Sequence, residues 1–159
     1  MDVIHILPAL VEHRLTGAPK KARKVMISDP FIFHAIRNWL EPDSEPYENQ
    51  AVRIMRDPEW AGRMAELCAS AHFARRYPTY YIKAEGEIDI AYISSGDFHP
   101  IEVKWTGQIR SKDLKQLRKY RNATILSRQL SNTVHGIPNE PLPVGLFRLG
   151  PSPFIAVGD

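Results

Sequence analysis

The hydrophobic pattern in the middle of the chain changes its period. Between residues 57 and 76 the apolar positions recur at helical spacing, and Asp57-Pro58 in front of them is typical of a helix start. Residues 80–83, 87–93 and 98–105 instead alternate apolar with polar or small positions, and a turn at 94–97 separates the last two segments. The centre of the chain is therefore predicted to be a helix followed by three strands.

The flanking segments extend this order. Asp29-Pro30 predicts a helix start, and the acidic loop 41–46 ends that helix. Residues 111–120 are predicted to be a helix with Leu114 and Leu117 facing inward. The segments 123–126 and 154–157 are predicted as strands, and 136–143 is a proline-rich connector. We expect an α/β domain over residues 29–159, with a mixed central sheet flanked by helices, and a short N-terminal appendage of extended pieces over residues 1–28.

Composition limits the class of protein. The chain has 159 residues, 43% of them hydrophobic and 25% charged, which is ordinary for a soluble globular domain. It has no apolar run of about 18 residues and no signal-peptide pattern, so we expect a cytoplasmic protein that is not a membrane protein. Its one cysteine, Cys68, excludes an internal disulfide and a zinc site made of several cysteines.

Basic residues are concentrated in two places. The net charge is only +3, but Arg75 and Arg76 form a pair, and a second cluster lies at residues 104–121. Beside a carboxylate pocket, such residues would suit a phosphodiester substrate, although a solvated helix face is the alternative. The residues we expect to contact nucleic acid are Arg75, Arg76, Arg110, Lys112, Lys115, Arg118 and Lys119.

Three charged residues lie on two predicted neighbouring strands. Glu102 and Lys104, separated by Val103, point to the same side of a strand, and Asp89 lies among apolar residues in the strand before it. An exposed strand face would explain each fragment alone. If the strands are neighbours, however, Asp89 and Glu102 come within reach of one ion, and oxygen ligands favour Mg²⁺ or Mn²⁺.

Two further fragments add to this group. Glu66 lies at the edge of the apolar face of the long helix, as either a surface residue or a third acidic ligand. Gln116 and Tyr120 are four residues apart in the next predicted helix and share a face with Lys112. That face is either an ordinary amphipathic surface or the edge of the site.

Taken in order, Glu66, Gly86-Glu87-Ile88-Asp89, Glu102-Val103-Lys104 and Gln116-Leu117-Arg118-Lys119-Tyr120 resemble the PD-(D/E)XK nuclease superfamily, in particular its helicase-associated exonucleases and junction resolvases. The resemblance implies a restriction-endonuclease-like fold. It also implies that Asp89 and Glu102 are metal ligands, that Glu66 is an accessory ligand, and that Lys104 assists the attacking water. Gln116 and Tyr120 would lie at the edge of the site. The chain departs from the pattern in lacking a proline before Asp89.

Residues 24–31, followed by this block, are also similar to the C-terminal region of AAA-type ATPases from archaea and bacteria. In those proteins an ATPase domain and a winged-helix segment precede a nuclease-like domain. The chain has no phosphate-binding loop of the P-loop type. The resemblance implies that an AAA-type ATPase domain is a partner and that residues 1–28 derive from the winged-helix segment. Apolar surface exposed on that segment would favour a homodimer.

These observations favour a metal-dependent nuclease that hydrolyses phosphodiester bonds, with DNA as the expected substrate. The first alternative is a catalytically idle module that binds DNA or a partner ATPase. The second is a metal-independent RNA nuclease that uses histidines as acid and base. The six histidines are scattered, and only His99 lies near the proposed site in the sequence.

Overall fold

The computed structural model describes residues 3–128 and 133–149. In chain order the strands are β1 (Ile4–Pro8), β2 (Leu10–Val11), β3 (Thr16–Gly17), β4 (Arg23–Ile27), β5 (Thr79–Lys83), β6 (Glu87–Ser94), β7 (Asp97–Lys104), β8 (Thr124–Ser127), β9 (Thr133–Val134) and β10 (Ile137–Pro141). The α-helices are α1 (Pro30–Leu40), α2 (Val52–Arg56), α3 (Pro58–Ala74) and α4 (Leu142–Arg148). A π-helical turn, Tyr47–Ala51, precedes α2, and two 3₁₀ turns are Ser111–Leu114 and Leu117–Lys119.

A mixed sheet forms the centre of the molecule, as the alternating segments predict. Within the described residues it has six strands in the order β5-β6-β7-β8-β10-β9. The strands β5, β6 and β7 are antiparallel, β7 pairs in parallel with β8, and β8 pairs in parallel with β10. The parallel pair β7–β8 needs a crossover connection, and the segment with the two 3₁₀ turns provides it.

Both faces of the sheet are covered by apolar side chains. Helix α3 packs on one face, where its residues Ala65, Ala69 and Phe73 meet Ile90 and Ile101 of the sheet. The other face is covered by the 3₁₀ segment, whose Leu114 and Leu117 are buried as predicted. Burial of each such leucine contributes about 1.5–3 kcal/mol. The fold therefore holds β6 and β7 rigidly between two layers.

The two predicted helix starts are confirmed. Oδ1 of Asp29 accepts a hydrogen bond from the backbone N–H of Phe31, and Pro30 occupies the first helical position. Asp57 accepts from the N–H groups of Glu59 and Trp60 in the same way at the start of α3. Each cap provides an acceptor for amide donors that have no partner inside the helix. The residue types that cap helices therefore allowed both boundaries to be predicted from the sequence.

Residues 4–27 form two small antiparallel sheets, β1 with β4 and β2 with β3, as the expected extended pieces. Leu7 and Ala9 are buried against Tyr81 of β5, so these strands lie directly on the edge of the main sheet. The opposite side of the β1–β4 pair carries exposed apolar side chains, including Ile6 and Val25. No helix in the described part of the chain is long and apolar enough to cross a membrane.

The prediction of one helix over residues 111–120 is wrong. The segment forms two short 3₁₀ turns instead. The inward residues Leu114, Leu117 and Tyr120 are spaced by three, which matches the 3.0 residues per turn of a 3₁₀ helix. Burial of this row of side chains outweighs the helical propensity of the segment.

The prediction of an irregular connector over residues 136–143 is also wrong. Ile137–Pro141 is strand β10, which pairs with β8, and helix α4 follows it at once. Ile137 and Asn139 are buried while Pro138 is exposed, so the segment has the alternation of a strand despite its prolines. The predicted strand at 154–157 lies outside the described residues.

Candidate metal centre

Asp89 lies at a β-bulge in β6. The register between β5 and β6 shifts by one residue between Tyr80 and Ile82, so Tyr81 alone faces both Asp89 and Ile90. A bulge bends its strand and redirects the side chain at the extra position, and bulges are frequent beside active sites. The direction of the Asp89 side chain is therefore set by the bulge and not by regular alternation along the strand.

Asp89 and Glu102 meet across β6 and β7. The ladder between these strands ends with the pair Ile90 and Ile101, and just beyond it the backbone N–H of Val103 donates a 2.8 Å hydrogen bond to Oδ2 of Asp89. Burial raises the pKa of Asp89 to about 8, assisted by the negative charges of Glu102 and Glu66. The two carboxylates thus share one buried place, where like charges oppose ionisation.

Lys104 pairs with Glu102, as their placement on one side of β7 predicts. Nζ of Lys104 lies 2.6 Å from Oε1 of Glu102, whose side chain is only 7% exposed. Burial raises the pKa of Glu102 against the opposing effect of Lys104. The other carboxylate oxygen, Oε2, is buried and has no hydrogen-bond partner among the described residues. A buried acceptor without a partner is costly, and in native proteins such groups are usually satisfied by water or by a bound ion.

Glu66 reaches the site from α3, where a lysine from the N-terminal segment meets it. Nζ of Lys24 lies 2.7 Å from Oε1 of Glu66, 2.8 Å from Oε1 of Glu87 and 3.9 Å from Oδ1 of Asp89. Burial would lower the pKa of Lys24, but the hydrogen bonds and charges of these carboxylates outweigh burial and raise it. The acidic group therefore contains a fixed positive charge at its centre.

Gln116 and Tyr120 contact each other although they are not on one α-helix. Nε2 of Gln116 donates to the hydroxyl of Tyr120 at 3.4 Å, and that hydroxyl donates to Oε1 of Glu12 at 2.8 Å. Burial, together with Glu12, raises the pKa of Tyr120 to about 12. Within residues 3–128 and 133–149, neither side chain hydrogen-bonds to Asp89 or Glu102, so they are not direct partners of these carboxylates. Lys112 is exposed while Gln116 is buried, so the expected shared face with Lys112 is wrong.

The predicted basic residues divide into exposed and engaged ones. Arg75 donates to the carbonyl of Ser28, and Lys119 pairs with Glu85 at 2.7 Å. Arg110, Lys112, Lys115 and Arg118 are exposed, as is Arg121 beside them. Arg118 and Arg121 line a cavity of about 300 Å³ together with Tyr120 and His135. Tyr120 therefore connects this basic surface to Gln116 and Glu12.

The number of acidic side chains in the site determines which kind of divalent cation it fits. No three His, Cys, Asp or Glu side chains in the described part of the chain form a group that could hold a metal ion alone. Mg²⁺, however, is usually bound through only one or two carboxylates, with water and substrate phosphate completing the octahedron. Oε2 of Glu102 lacks a partner, and Oδ1 of Asp89 has only a long contact to Lys24. Asp89 and Glu102 fit such an ion, which would also relieve their mutual repulsion.

Lys24 and Glu12 were not identified as site residues from the sequence. One signal for Lys24 was available, because β4 has the opposite pattern from that expected of a core strand. Val25 is 65% exposed, whereas Lys24 pairs in register with the buried Leu7. A lysine at the inward position of a strand indicates an acidic partner inside. Glu12 lies in an irregular loop and gave no such signal.

His99 does not belong to the carboxylate group. Its ring stacks on Tyr92 of the neighbouring strand, with the ring centroids 4.8 Å apart. Comparison with known proteins found no matching family model, no similar curated protein and no similar solved structure.

Proposed function

We propose that this protein is a Mg²⁺- or Mn²⁺-dependent nuclease that hydrolyses phosphodiester bonds in DNA, with a restriction-endonuclease-like arrangement of its sheet. The observation that carries the proposal is the meeting of Asp89 and Glu102 in one buried place, with Lys104 paired to the second of them. An unpartnered buried oxygen on Glu102 supports it further. Two carboxylates held close together in a buried place oppose each other's ionisation unless a cation lies between them.

Asp89 and Glu102 would hold the ion, and the ion when bound would neutralise charge on the phosphate and lower the pKa of a water. Lys104 has three N–H donors, of which one is directed at Oε1 of Glu102. The remaining donors would stabilise negative charge that develops on the phosphate. The ion pair fixes the position of the Lys104 ammonium group, so no side chain has to reorganise during the reaction.

The substrate strand would lie along the surface of Arg110, Lys112, Lys115, Arg118 and Arg121. Contacts of this kind recognise phosphates and not bases, so the proposal predicts binding with little sequence preference. Because Tyr120 borders both the basic cavity and Gln116, the strand would pass the carboxylates at that residue. Arg75 and Lys119, which have partners within the protein, would contribute less.

A nuclease assay tests the proposal on single-stranded DNA, double-stranded DNA and RNA, with Mg²⁺, Mn²⁺ or EDTA. Cleavage is expected for wild type with either ion, but not in EDTA. Asp89→Asn and Lys104→Met should lower the rate by at least 100-fold, on the order expected for loss of a metal ligand or a charge-stabilising group. The matched control is Arg56→Ala, which removes an exposed arginine of α2. Equal cleavage by all four proteins would show a contaminant and end the proposal.

The Lys24 contact favours a second candidate function. Since Lys24 already neutralises Glu66 and Glu87, the same domain could serve as a catalytically idle module that binds DNA or an AAA-type ATPase partner. Such a module would shift DNA in a gel but would neither bind Mn²⁺ nor cleave. Calorimetry with Mn²⁺ on the metal-free protein separates the two functions, because only the nuclease requires the ion.

A further inference from the structure

The position of the Lys24 ammonium group is unusual for a lysine. It lies among three carboxylates, those of Glu66, Glu87 and Asp89, and its side chain is only 20% exposed. The groups come from three separate elements, since Lys24 belongs to β4 and Glu66 to α3, while Glu87 precedes the bulge in β6 at which Asp89 lies. Divalent cations likewise bind several oxygen ligands. Among the described residues the ammonium group fills this position, and no group of three acidic side chains is arranged to hold a metal ion as it stands.

Lys24 is also held in place by its surroundings. Its backbone pairs with the buried Leu7 in the β1–β4 sheet, and its ammonium lies 5.3 Å from the centre of the Tyr81 ring. The hydroxyl of the same tyrosine donates a 2.7 Å hydrogen bond to the carbonyl of Ala22, two residues before Lys24. Tyr81 thus fixes both the backbone and the charge, and a mobile surface lysine would have neither restraint.

The charges of the group indicate how many ions it accepts. The group contains four carboxylates and two inward lysines, so two negative charges remain when all six side chains are ionised. The carboxylates are those of Glu66, Glu87, Asp89 and Glu102, and the lysines are Lys24 and Lys104. Lys83 also pairs with Glu87, but its side chain is 56% exposed and therefore screened by solvent. One divalent cation balances the remaining charge, and a second would leave an excess of positive charge.

We infer that Lys24 is a built-in cation which takes the place of a second divalent ion between Glu66, Glu87 and Asp89. This inference rests on the proposed function in one respect only, namely that Asp89 and Glu102 hold the single exchangeable ion. Lys24 is then a positioning residue, because it keeps Asp89 oriented toward Glu102 without touching the substrate. The centre is consequently a one-metal centre in which an ammonium group does the work of the other metal.

The test is a Mn²⁺ titration of the metal-free full chain by calorimetry, comparing wild type with Lys24→Met. Removal of the ammonium should create one additional Mn²⁺ equivalent per chain, and adding Glu66→Gln to Lys24→Met should abolish that equivalent. Lys83→Met is the matched control, since it removes the other lysine bonded to Glu87 at 3.0 Å but leaves Lys24 in place. It should bind as many ions as wild type, as should Lys24→Arg, which keeps the charge.

The outcomes separate this inference from the proposed function. If wild type binds one ion and Lys24→Met binds two, both stand. If wild type binds none and Lys24→Met binds one, the assignment of Lys24 to a cation position stands, whereas the metal-dependent nuclease, and with it the one-metal centre, does not. An unchanged number of ions in Lys24→Met overturns the inference, and so does a gain in Lys83→Met or Lys24→Arg.

Folding gives a second readout, because Lys24→Met removes the shared counter-charge of three carboxylates and leaves only Glu87 with another lysine, Lys83. Its melting temperature in EDTA should lie below that of wild type, and saturating Mn²⁺ should raise it by more than it raises that of Lys83→Met. Failure to fold in EDTA with recovery in Mn²⁺ supports the inference equally. A variant that stays unfolded with Mn²⁺ present overturns it, since the ion then does not replace the ammonium.

Discussion

The backbone N–H of Val103 donates a 2.8 Å hydrogen bond to Oδ2 of Asp89. This bond joins β7 to β6 where their regular ladder has ended at Ile90 and Ile101. It uses a main-chain donor that would otherwise need another acceptor, and it fixes the Asp89 carboxylate next to Glu102. The closeness of the two acids is therefore built into the pairing of the strands.

Asp89→Asn should make the stability of the metal-free protein less dependent on pH. The pKa of Asp89 is about 8 in the folded chain and 3.8 ordinarily, so the folded state holds the proton more tightly than the unfolded state does. The contribution of Asp89 to the free energy of unfolding should consequently fall as the pH rises from about 4 to about 8. At pH 8.5 in EDTA, Asp89→Asn should be more stable by roughly 1–3 kcal/mol. Urea unfolding across this pH range measures the effect.

Glu48→Gln provides the control for that series, because it removes an exposed carboxylate remote from the site. Its pH profile should follow that of wild type. A profile of Asp89→Asn that runs parallel to wild type would show that Asp89 ionises normally and that the two acids do not share a buried place.

Lys104→Met should destabilise the protein by about 3 kcal/mol near neutral pH, because it leaves the buried Glu102 without its partner. The double variant Lys104→Met/Glu102→Gln removes the unpaired charge and should recover most of that loss. Thermal or urea unfolding of the four proteins in the cycle gives the coupling energy. Additive losses would mean that the 2.6 Å pair contributes nothing, and a role for Lys104 in orienting Glu102 would then be excluded.

Arg118→Ala and Arg121→Ala should each weaken DNA binding and reduce the dependence of log Kd on log salt concentration by about one phosphate contact. Both arginines are exposed and line the cavity beside Tyr120. Lys119→Ala should have a smaller effect, because Lys119 is bonded to Glu85. Fluorescence anisotropy at several salt concentrations measures the slopes, with Arg56→Ala as the variant expected to match wild type. Identical slopes for all variants would place the DNA elsewhere.

Gly86→Ala should lower stability by about 1 kcal/mol and shift Gln116. A Cβ atom at Gly86 would lie 3.1 Å from Cβ of Gln116, which has little freedom to move away. Gly107→Ala is the matched control, since an added Cβ there meets nothing within 4 Å. Two-dimensional NMR should show the Gln116 side-chain amide displaced in Gly86→Ala only. A stability gain like that of ordinary glycine-to-alanine changes would contradict the close approach.

Local patterns were sufficient for the elements that carry Asp89, Glu102 and Lys104. The alternation in β7 places Glu102 and Lys104 on one side, and the two helix caps depend on residues only two or three positions apart. Signals of this range are visible in a single sequence. The direction of the Asp89 side chain could not be predicted from local patterns. It depends on a bulge, and the bulge arises from the pairing of β5 with β6.

Contacts between distant parts of the chain explain what the sequence did not predict. Lys24 contacts Glu66, which lies 42 positions away in the sequence, and Glu12 contacts Tyr120, which lies 108 positions away. No local period specifies such a contact, and each depends on the N-terminal strands lying against β5. In residues 111–120 the local helical propensity is overridden by the need to bury Leu114 and Leu117 together.

The contact of Ala9 with Tyr81, a parallel bridge, has a consequence for how the chain assembles. Strand β5 is the outermost strand of the main sheet, and Ala9 is the point at which the N-terminal segment shields it. A growing or misfolded chain would expose the edge of β5 until its first residues dock there. An exposed edge strand can pair with strands of other molecules. The same docking step brings Lys24 to its acids, so protection from aggregation and completion of the centre occur together in folding.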